Sequence, residues 1–547
     1  MGTFSSNAAP NDPGLRFIIF KLGGVPCNGA SANCRWCLIH HAICGDRRSY
    51  WLFALFAVLA VAWSSPVPAS ASNGGSASEK IDAYLSELSQ LGRFNGVVLL
   101  AAGGRVVLRK AYGYADFDSR TLNAPATQFE IASLSKMFTA AAILKLSDSR
   151  KLQLDDSICK YLDPCPAAWN PITISEVIHH KSGIPDYEAV LDITSPEYLT
   201  FMSGAGSGER ILRSEESRSL DFPPGTGFNY SNTGYVALAK VIEKASGESY
   251  GAYLHAALLD PAGLKDTGVI GFDVPKHLAA PFKKDGLDWS QRFAGVHLID
   301  VGPERLPQLD FSSPHGDASI FSTVDDLLLW TVVEGGSDVI TASDSAQIFD
   351  GGSDGYGFGW EVGQVNGVRR FRHTGELPGY LSNVSVFPDL HSTLIVLTNF
   401  DLPMQNSMRD LTAIVIGQSY DMPQSGALTT LEPQSAARLL GTYVLDTGEV
   451  LTVSQSPTML SASIKGRYSA GLLPITQTTF FMPLANGIVT FGGDARALAQ
   501  TINLHYDGVD HRGARRIPDP ASSPPQRAPG ASDEYRACNA NGDRRSL

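Results

Sequence analysis

A serine hydroxyl becomes a nucleophile when a base lies within hydrogen-bond reach, and Ser133-Leu134-Ser135-Lys136 sets an amine three residues beyond such a hydroxyl. Residues three apart share a helix face. With Ser133 in the first turn, the amine sits beside the hydroxyl and the positive end of the helix faces the charge that develops there. An amine is a base only when neutral, so this chemistry requires a desolvated Lys136. The spacing alone is common. Ser157-Ile158-Cys159-Lys160 matches it with no amphipathic helix behind it, and an isolated Ser133 reads equally well as a helix N-cap. Two further sets follow: Tyr230-Ser231-Asn232 after the Pro223-Pro224-Gly225 turn, and His373-Thr374-Gly375 at the end of an expected strand. His511-Arg512-Gly513 repeats the last pattern, so order and context carry the weight. The adjacent His179 and His180 invite a metal reading, but neighbours on a helix point in different directions, which favours core or capping roles.

The elements around these residues follow from periodicity. Glu79 to Leu91 has helical apolar spacing, and Gly96 to Ala101 with Arg105 to Ala111 reads as a hairpin turning at Gly103-Gly104. Ser133 to Leu146 is apolar and rich in helix formers. Further helices are expected at Thr173 to His179, opened by a Thr173-x-x-Glu176 capping pattern, at Tyr235 to Ala245, and at Val324 to Trp330 behind Ser322-x-x-Asp325. Gly357 to Val365, Arg369 to His373, Leu381 to Phe387 and Ser392 to Leu397 read as consecutive strands. The layout is α+β, with an antiparallel sheet and a helical portion. Small and polar residues from Gly426 to Pro433 mark a boundary. Beyond it, short strands at Glu449 to Val453, Thr478 to Met482, Ile488 to Phe491 and Thr501 to Tyr506 predict a small all-β domain over 430–517, followed by a disordered tail, 518–547.

At 547 residues the chain is long enough for two ordered domains, and 43% apolar with 18% charged residues is globular composition. A net charge of -12 without clustered Lys and Arg argues against nucleic acid. Arg47 and Arg48 precede an apolar run from Tyr50 to Trp63, and Ala69-Ser70-Ala71 supplies a small-residue cleavage site before Ser72. Residues 1–71 therefore read as leader and signal peptide, 72–78 as a linker, and the mature protein as periplasmic or secreted. The run is shorter than a spanning helix needs, which leaves a membrane anchor as the lesser alternative. The signal's internal placement predicts a translation start downstream of Met1. Of seven cysteines, Cys27, Cys34, Cys37 and Cys44 lie in the leader, where Cys34 and Cys37 carry a weak zinc pattern. Cys159 and Cys165 read either as a small disulfide or as two free thiols, and Cys538 is left over.

Taken in order, the three sets resemble the serine β-lactamase and penicillin-binding protein superfamily, on the branch related to class C enzymes. The resemblance covers about 79–417, within a catalytic domain read as 79–425, with flanking matches at Lys151-Leu152-Gln153-Leu154-Asp155-Asp156, Ser182-Gly183-Ile184-Pro185, Tyr356-Gly357-Phe358-Gly359-Trp360 and Leu397-Thr398-Asn399. It implies a helical domain packed on an antiparallel sheet with the site between them. It makes Ser133 the nucleophile, Lys136 its activating partner, Tyr230 the proton-transfer residue and Asn232 a substrate-amide contact. His373, Thr374 and Gly375 become the strand lining the cleft, and the backbone N–H groups of Ser133 and Glu376 the oxyanion hole. No metal or organic cofactor is implied. Where the family often carries lysine this chain has His373, and Glu376 stands where small residues are usual. Leu440-Gly441-Thr442-Tyr443 opens what resembles an accessory module found in some relatives.

The expected activity is hydrolysis of a D-amino-acid peptide, ester or related amide. The alternatives are a true β-lactamase and a penicillin-binding sensor or scaffold without turnover.

Overall fold

The structure, a computed structural model, describes residues 75–516 apart from 91, 190–195, 216, 284–302, 310–315, 402–403, 424–428, 456–459, 465–467, 483–486, 495 and 507–508. The leader with its cysteines and cleavage site, Cys538 and the tail lie outside the described residues. The described chain forms two compact units, the smaller of them built mainly on Ser419 onward.

In the larger unit, helix α1 (Ala77–Gln90) buries Ile81, Tyr84, Leu85 and Leu88 at helical spacing. It packs on the hairpin of β1 (Gly96–Ala102) and β2 (Arg105–Tyr112). Helix α2 (Ser135–Asp148) is different: eleven of its fourteen residues are buried, so it has no polar face and runs through the core. Helix α3 (Asn232–Ser246) packs against it and ends at Gly247 in the left-handed region. Helix α4 (Val324–Glu334) lies on the sheet and stacks Trp330 on Phe138 of α2, ring centroids 4.5 Å apart. Its N-cap is Thr323, which accepts from the Asp326 N–H at 3.2 Å; the expected cap at Ser322 is displaced by one residue because Ser322 belongs to the preceding strand.

Strands β3 (Glu361–Val365), β4 (Val368–Leu377), β5 (Tyr380–Phe387) and β6 (Ser392–Thr398) complete a six-stranded antiparallel sheet in the order β3-β4-β5-β6-β1-β2. This sheet and its helices are the α+β arrangement the sequence predicts. The expected strand Gly357–Val365 forms only from Glu361. Before it the chain turns: Gly359 has φ +77°, and a Cβ there would lie 2.7 Å from the Lys136 carbonyl group, so the segment is shaped by close approach to α2 rather than by pairing.

The smaller unit is a closed eight-stranded barrel: β7 (Gly441–Leu445), β8 (Val450–Gln455), β9 (Leu460–Ile464), β10 (Tyr468–Pro474), β11 (Thr479–Met482), β12 (Gly487–Gly492), β13 (Thr501–Tyr506) and β14 (Val509–Arg515). Pairing of β14 with β7, Tyr443 opposite Arg515, closes it. Alternating inward residues such as Leu451, Val453, Leu460, Ala462 and Ile464 fill the interior, as a barrel of this size requires.

Candidate active site

Ser133 sits in a 3₁₀ turn, Ala132–Leu134, that runs directly into α2. The residue before it, Ala132, is held at φ +51°, a conformation that stores backbone strain beside Ser133. Strand β4 pins this turn in place. A Cβ at Gly375 would lie 2.3 Å from the Ile131 carbonyl oxygen and 3.0 Å from the Ala132 Cβ, so only glycine lets the strand and the turn approach this closely.

Lys136 is completely buried, and its Nζ lies 2.9 Å from Ser133 Oγ, 2.7 Å from Asn232 Oδ1 and 3.2 Å from the Asp317 carbonyl oxygen. The last two atoms can only accept. A neutral amine has two N–H donors and one lone pair, so with both donors committed its lone pair is left for the Ser133 O–H. Burial pushes the amine down to about 8, opposed by the carboxylates of Asp317, Glu188 and Asp186. Those carboxylates stand behind neutral groups. Asn232 Nδ2 donates to Asp186 Oδ2 at 3.2 Å and Glu188 Oε2 at 3.0 Å, and the Tyr187 hydroxyl donates to Asp317 Oδ2 at 2.9 Å. Glu188, half-buried and beside Asp186, is raised to about 7 by desolvation and then by that neighbouring charge. Asn232 thus links the amine to a carboxylate pair, a structural duty added to the substrate contact expected from sequence.

The Tyr230 ring lies 4.9 Å from Lys136 Nζ, and Tyr230 lines the cleft together with Ser133. Burial holds the phenol well above its ordinary value, so it is a neutral proton donor. His180 positions it. The His180 backbone, at φ +57°, accepts from the Asn229 N–H at 3.0 Å, its Nδ1 accepts from the Ser231 N–H at 3.1 Å, and its ring packs 4.2 Å from that of Tyr230. The two bonds bracket Tyr230 in the chain. His179 instead donates Nδ1–H to the Ser175 carbonyl at 2.8 Å.

His373 is buried, donates Nδ1–H to the Thr374 carbonyl at 2.7 Å and accepts from the Tyr356 hydroxyl at 2.9 Å. Burial and then the Lys136 charge hold its imidazole down to about 3, so it brings no cation to the site. Thr374 and Glu376 are exposed on the same strand. With Ser133, Tyr230, Asn232 and His373 they line a cleft of about 210 Å³, together with Asp186, Glu188, Asp317 and Glu361. Gly375 backs the cleft without lining it. The acids Asp186, Glu188 and Asp317 carry no sequence signal of their own, the nearest being the turn at Gly183, φ +72°, and His180, for which the sequence favours a core or capping role, is a clamp on Tyr230.

The decoy motifs lie on other elements of the chain. Ser157 caps a 3₁₀ turn, accepting from the Cys159 N–H at 3.2 Å and donating to the Asn170 carbonyl at 2.6 Å, while Lys160 pairs with Asp156 at 2.9 Å. His511, Arg512 and Gly513 lie on β14 of the barrel. Cys159 and Cys165 form a disulfide, with Cα atoms 5.4 Å apart. Asn399 is buried and donates to the Ala280 carbonyl at 2.8 Å, so the Leu397-Thr398-Asn399 match is a cross-link within the fold.

A family model described as Beta-lactamase matches residues 81–418, and the chain belongs to that family. Penicillin-binding protein 4* of Bacillus subtilis (strain 168) is 28% identical over 447 residues, covering 78% of this chain and 96% of that protein. D-aminopeptidase of Brucella anthropi is 30% identical over 319 residues, 56% of each chain. Among solved structures, the octameric penicillin-binding protein homologue from Pyrococcus abyssi superposes with a TM-score of 0.55 at 22% identity, over 80% of this chain and 99% of that one; at that identity the likeness speaks for the fold.

Proposed function

We propose that the protein is a serine hydrolase that cleaves amides or esters of D-amino-acid type through an acyl-enzyme on Ser133. The carrying observation is the buried Lys136 amine 2.9 Å from Ser133 Oγ with its other contacts made to acceptors only. In this reading Oγ bonds to the substrate carbonyl carbon as its proton passes to Nζ. The backbone N–H groups of Ser133 and Glu376 receive the oxyanion. The Tyr230 hydroxyl then gives its proton to the departing amine or alkoxide and is recharged from the Lys136 ammonium. Water, deprotonated by the same pair, releases the acid and returns the proton to Oγ.

The acyl donor in this proposal is neutral or carries an amine, which fits the D-aminopeptidase relative better than β-lactam hydrolysis does. Support comes from charge. Five carboxyl side chains line the cleft, and His373 supplies no cation to hold a substrate carboxylate. Repulsion of an anionic substrate on the order of 1 kcal/mol corresponds to several-fold discrimination. The test is intact-mass and product analysis after exposure to a penicillin, a chromogenic cephalosporin, short-chain p-nitrophenyl esters and D-alanine p-nitroanilide. Adduct without product on every donor overturns the hydrolase in favour of a sensor. Glu376→Ser is expected to raise kcat/KM for the penicillin more than for the neutral ester, and equal changes remove the charge argument. Export to the periplasm or medium belongs to the same proposal; it rests on the Arg47-to-Ala71 pattern and agrees with the Cys159–Cys165 disulfide.

A further inference from the structure

A second cavity, of about 420 Å³, adjoins the catalytic cleft, and Tyr230 and Glu361 line both. Its charges do not cancel. Glu361 is matched by Arg372 across the β3–β4 pair at 2.6 Å, and Asp354 by Lys181 at 2.9 Å. Of the three arginines on β4, Arg369 pairs with Asp389 at 2.8 Å and Arg372 with Glu361. Among the described residues no carboxylate is in ion-pair contact with Arg370, which also lines this cavity. Its guanidinium is half-buried; burial and the neighbouring Arg372 work against its charge, and Glu361, already paired with Arg372, offsets them only in part. A charge held in that condition is unfavourable unless something supplies the missing anion.

The strand opposite keeps the space in front of Arg370 open. Its cross-strand partner is Gly363, where a Cβ would meet nothing within 4 Å. Any larger residue would stand beside the guanidinium, since directly opposed side chains share a face. Phe228, an exposed aromatic, contributes an apolar wall.

We propose that this cavity is the leaving-group subsite and that Arg370 binds a carboxylate at the far end of the leaving group. The assignment rests on the Ser133 and Tyr230 roles given above. The proton donor for a leaving amine must stand beside it, and of the two groups near Ser133 that could serve, Lys136 is fully buried while Tyr230 is exposed enough to wall both cavities. Arg370 is four strand positions from Thr374, roughly 13 Å along β4. An arginine side chain covers part of that span, and extended peptide covers about 3.3–3.6 Å per residue, so the fit is a leaving group of about two or three residues with a free C-terminus. The groove is then dipolar, with acids around the acyl end and a guanidinium at the leaving end, which selects short peptides over uncharged esters.

The test compares D-alanyl-glycyl-glycine with its C-terminal carboxamide as substrates, and measures binding of both to Ser133→Ala protein by calorimetry. The natural chain is expected to favour the free carboxylate about ten-fold in kcat/KM. That ratio is expected to fall about ten-fold in Arg370→Gln, to recover in part in Arg370→Lys, and to fall in Gly363→Asp, which supplies an anion opposite the arginine without removing it. A ratio near one in the natural chain, or equal losses on both peptides in Arg370→Gln, overturns the proposal. If D-alanine p-nitroanilide, the p-nitrophenyl esters and both peptides all go unhydrolysed, the hydrolase reading itself fails, and the binding comparison still decides Arg370.

Discussion

Ser133-x-x-Lys136 and Ser157-x-x-Lys160 present the same residues at the same spacing, and only the first is built to react. Lys160 has a side chain 56% exposed and is tied to Asp156, so water and a carboxylate both keep it protonated. Lys136 has no exposure, and among the described residues its hydrogen bonds go to no carboxylate, only to a hydroxyl and two neutral acceptors. The contrast shows that a serine-lysine pair gains reactivity from where its amine is put. Burial loosens the amine's hold on its proton, and carboxylates set one group further back limit that loosening, so the amine keeps its basicity.

The largest expected effect breaks the comparison directly. Ser133→Ala or Lys136→Ala should lower turnover of any accepted ester or amide by ~10³-fold or more. Ser157→Ala and Lys160→Ala should leave kcat/KM near that of the natural chain, with Ser157→Ala costing about 1 kcal/mol of stability through the lost cap. Steady-state kinetics and thermal melts on the four proteins decide it, and a surviving Ser133→Ala activity would end the acyl-enzyme mechanism.

Next in size is Gly375→Ala. The added methyl meets the Ile131 carbonyl oxygen at 2.3 Å, so β4 or the Ser133 turn must move. Overpacking of this kind costs about 1–3 kcal/mol of stability, and a shift of ~1 Å at the nucleophile lowers kcat on the order of a hundred-fold. A variant that keeps both its melting temperature and kcat would show that the close approach is not what holds Ser133.

Smaller again is the clamp on Tyr230. His180→Phe leaves the Ser231 N–H without its acceptor and puts a bulky residue at φ +57°, and kcat is expected to fall about ten-fold with KM little changed. Asparagine tolerates that backbone and offers an amide oxygen in place of Nδ1, so His180→Asn should recover most of the loss. Equal losses in both variants would assign His180 to general packing.

What was legible in the sequence divides along the same line between local and assembled features. Ser133, Lys136, Tyr230, Asn232 and the His373-Thr374-Gly375 strand could be read because each sits in a short motif, and the six-stranded sheet because its strands have apolar runs. The carboxylates around Lys136 could not. Asp186, Glu188 and Asp317 are ordinary acids by sequence, and tertiary packing brings them near the amine, one stretch following Gly183 at φ +72° and the other following Gly316, where a Cβ would lie 2.4 Å from the Tyr235 carbonyl oxygen. The barrel was legible in part. Strand β9 alternates Leu460, Ala462 and Ile464 with serines, and β14 carries His511, Arg512 and Gly513, so neither has the apolar density of an evident strand, although closure depends on β14.

The smallest effect sharpens the comparison most, because it touches only the amine's electrostatics. In the proposed mechanism the base is neutral Lys136, so the rate should rise with pH through about 8, the value to which burial pushes this amine. The Glu188 carboxylate opposes that push whenever it is ionised, and its own burial beside Asp186 raises it to about 7. The sign follows. Above pH 7 Glu188 is negative and holds the amine protonated; Glu188→Gln removes the charge, lowers the amine further and moves the rising limb of kcat/KM to lower pH. Below pH 7 the natural glutamate is already mostly protonated, so the two proteins should converge. Glutamine keeps a carbonyl oxygen for Asn232 or the Tyr198 hydroxyl, which donates to Glu188 at 2.9 Å, so the cleft's shape is retained. A pH–rate profile on a neutral ester measures the shift. A limb displaced to higher pH, or a difference confined to acid pH, would mean that the carboxylates behind Asn232 do not tune Lys136, and that burial alone separates it from Lys160.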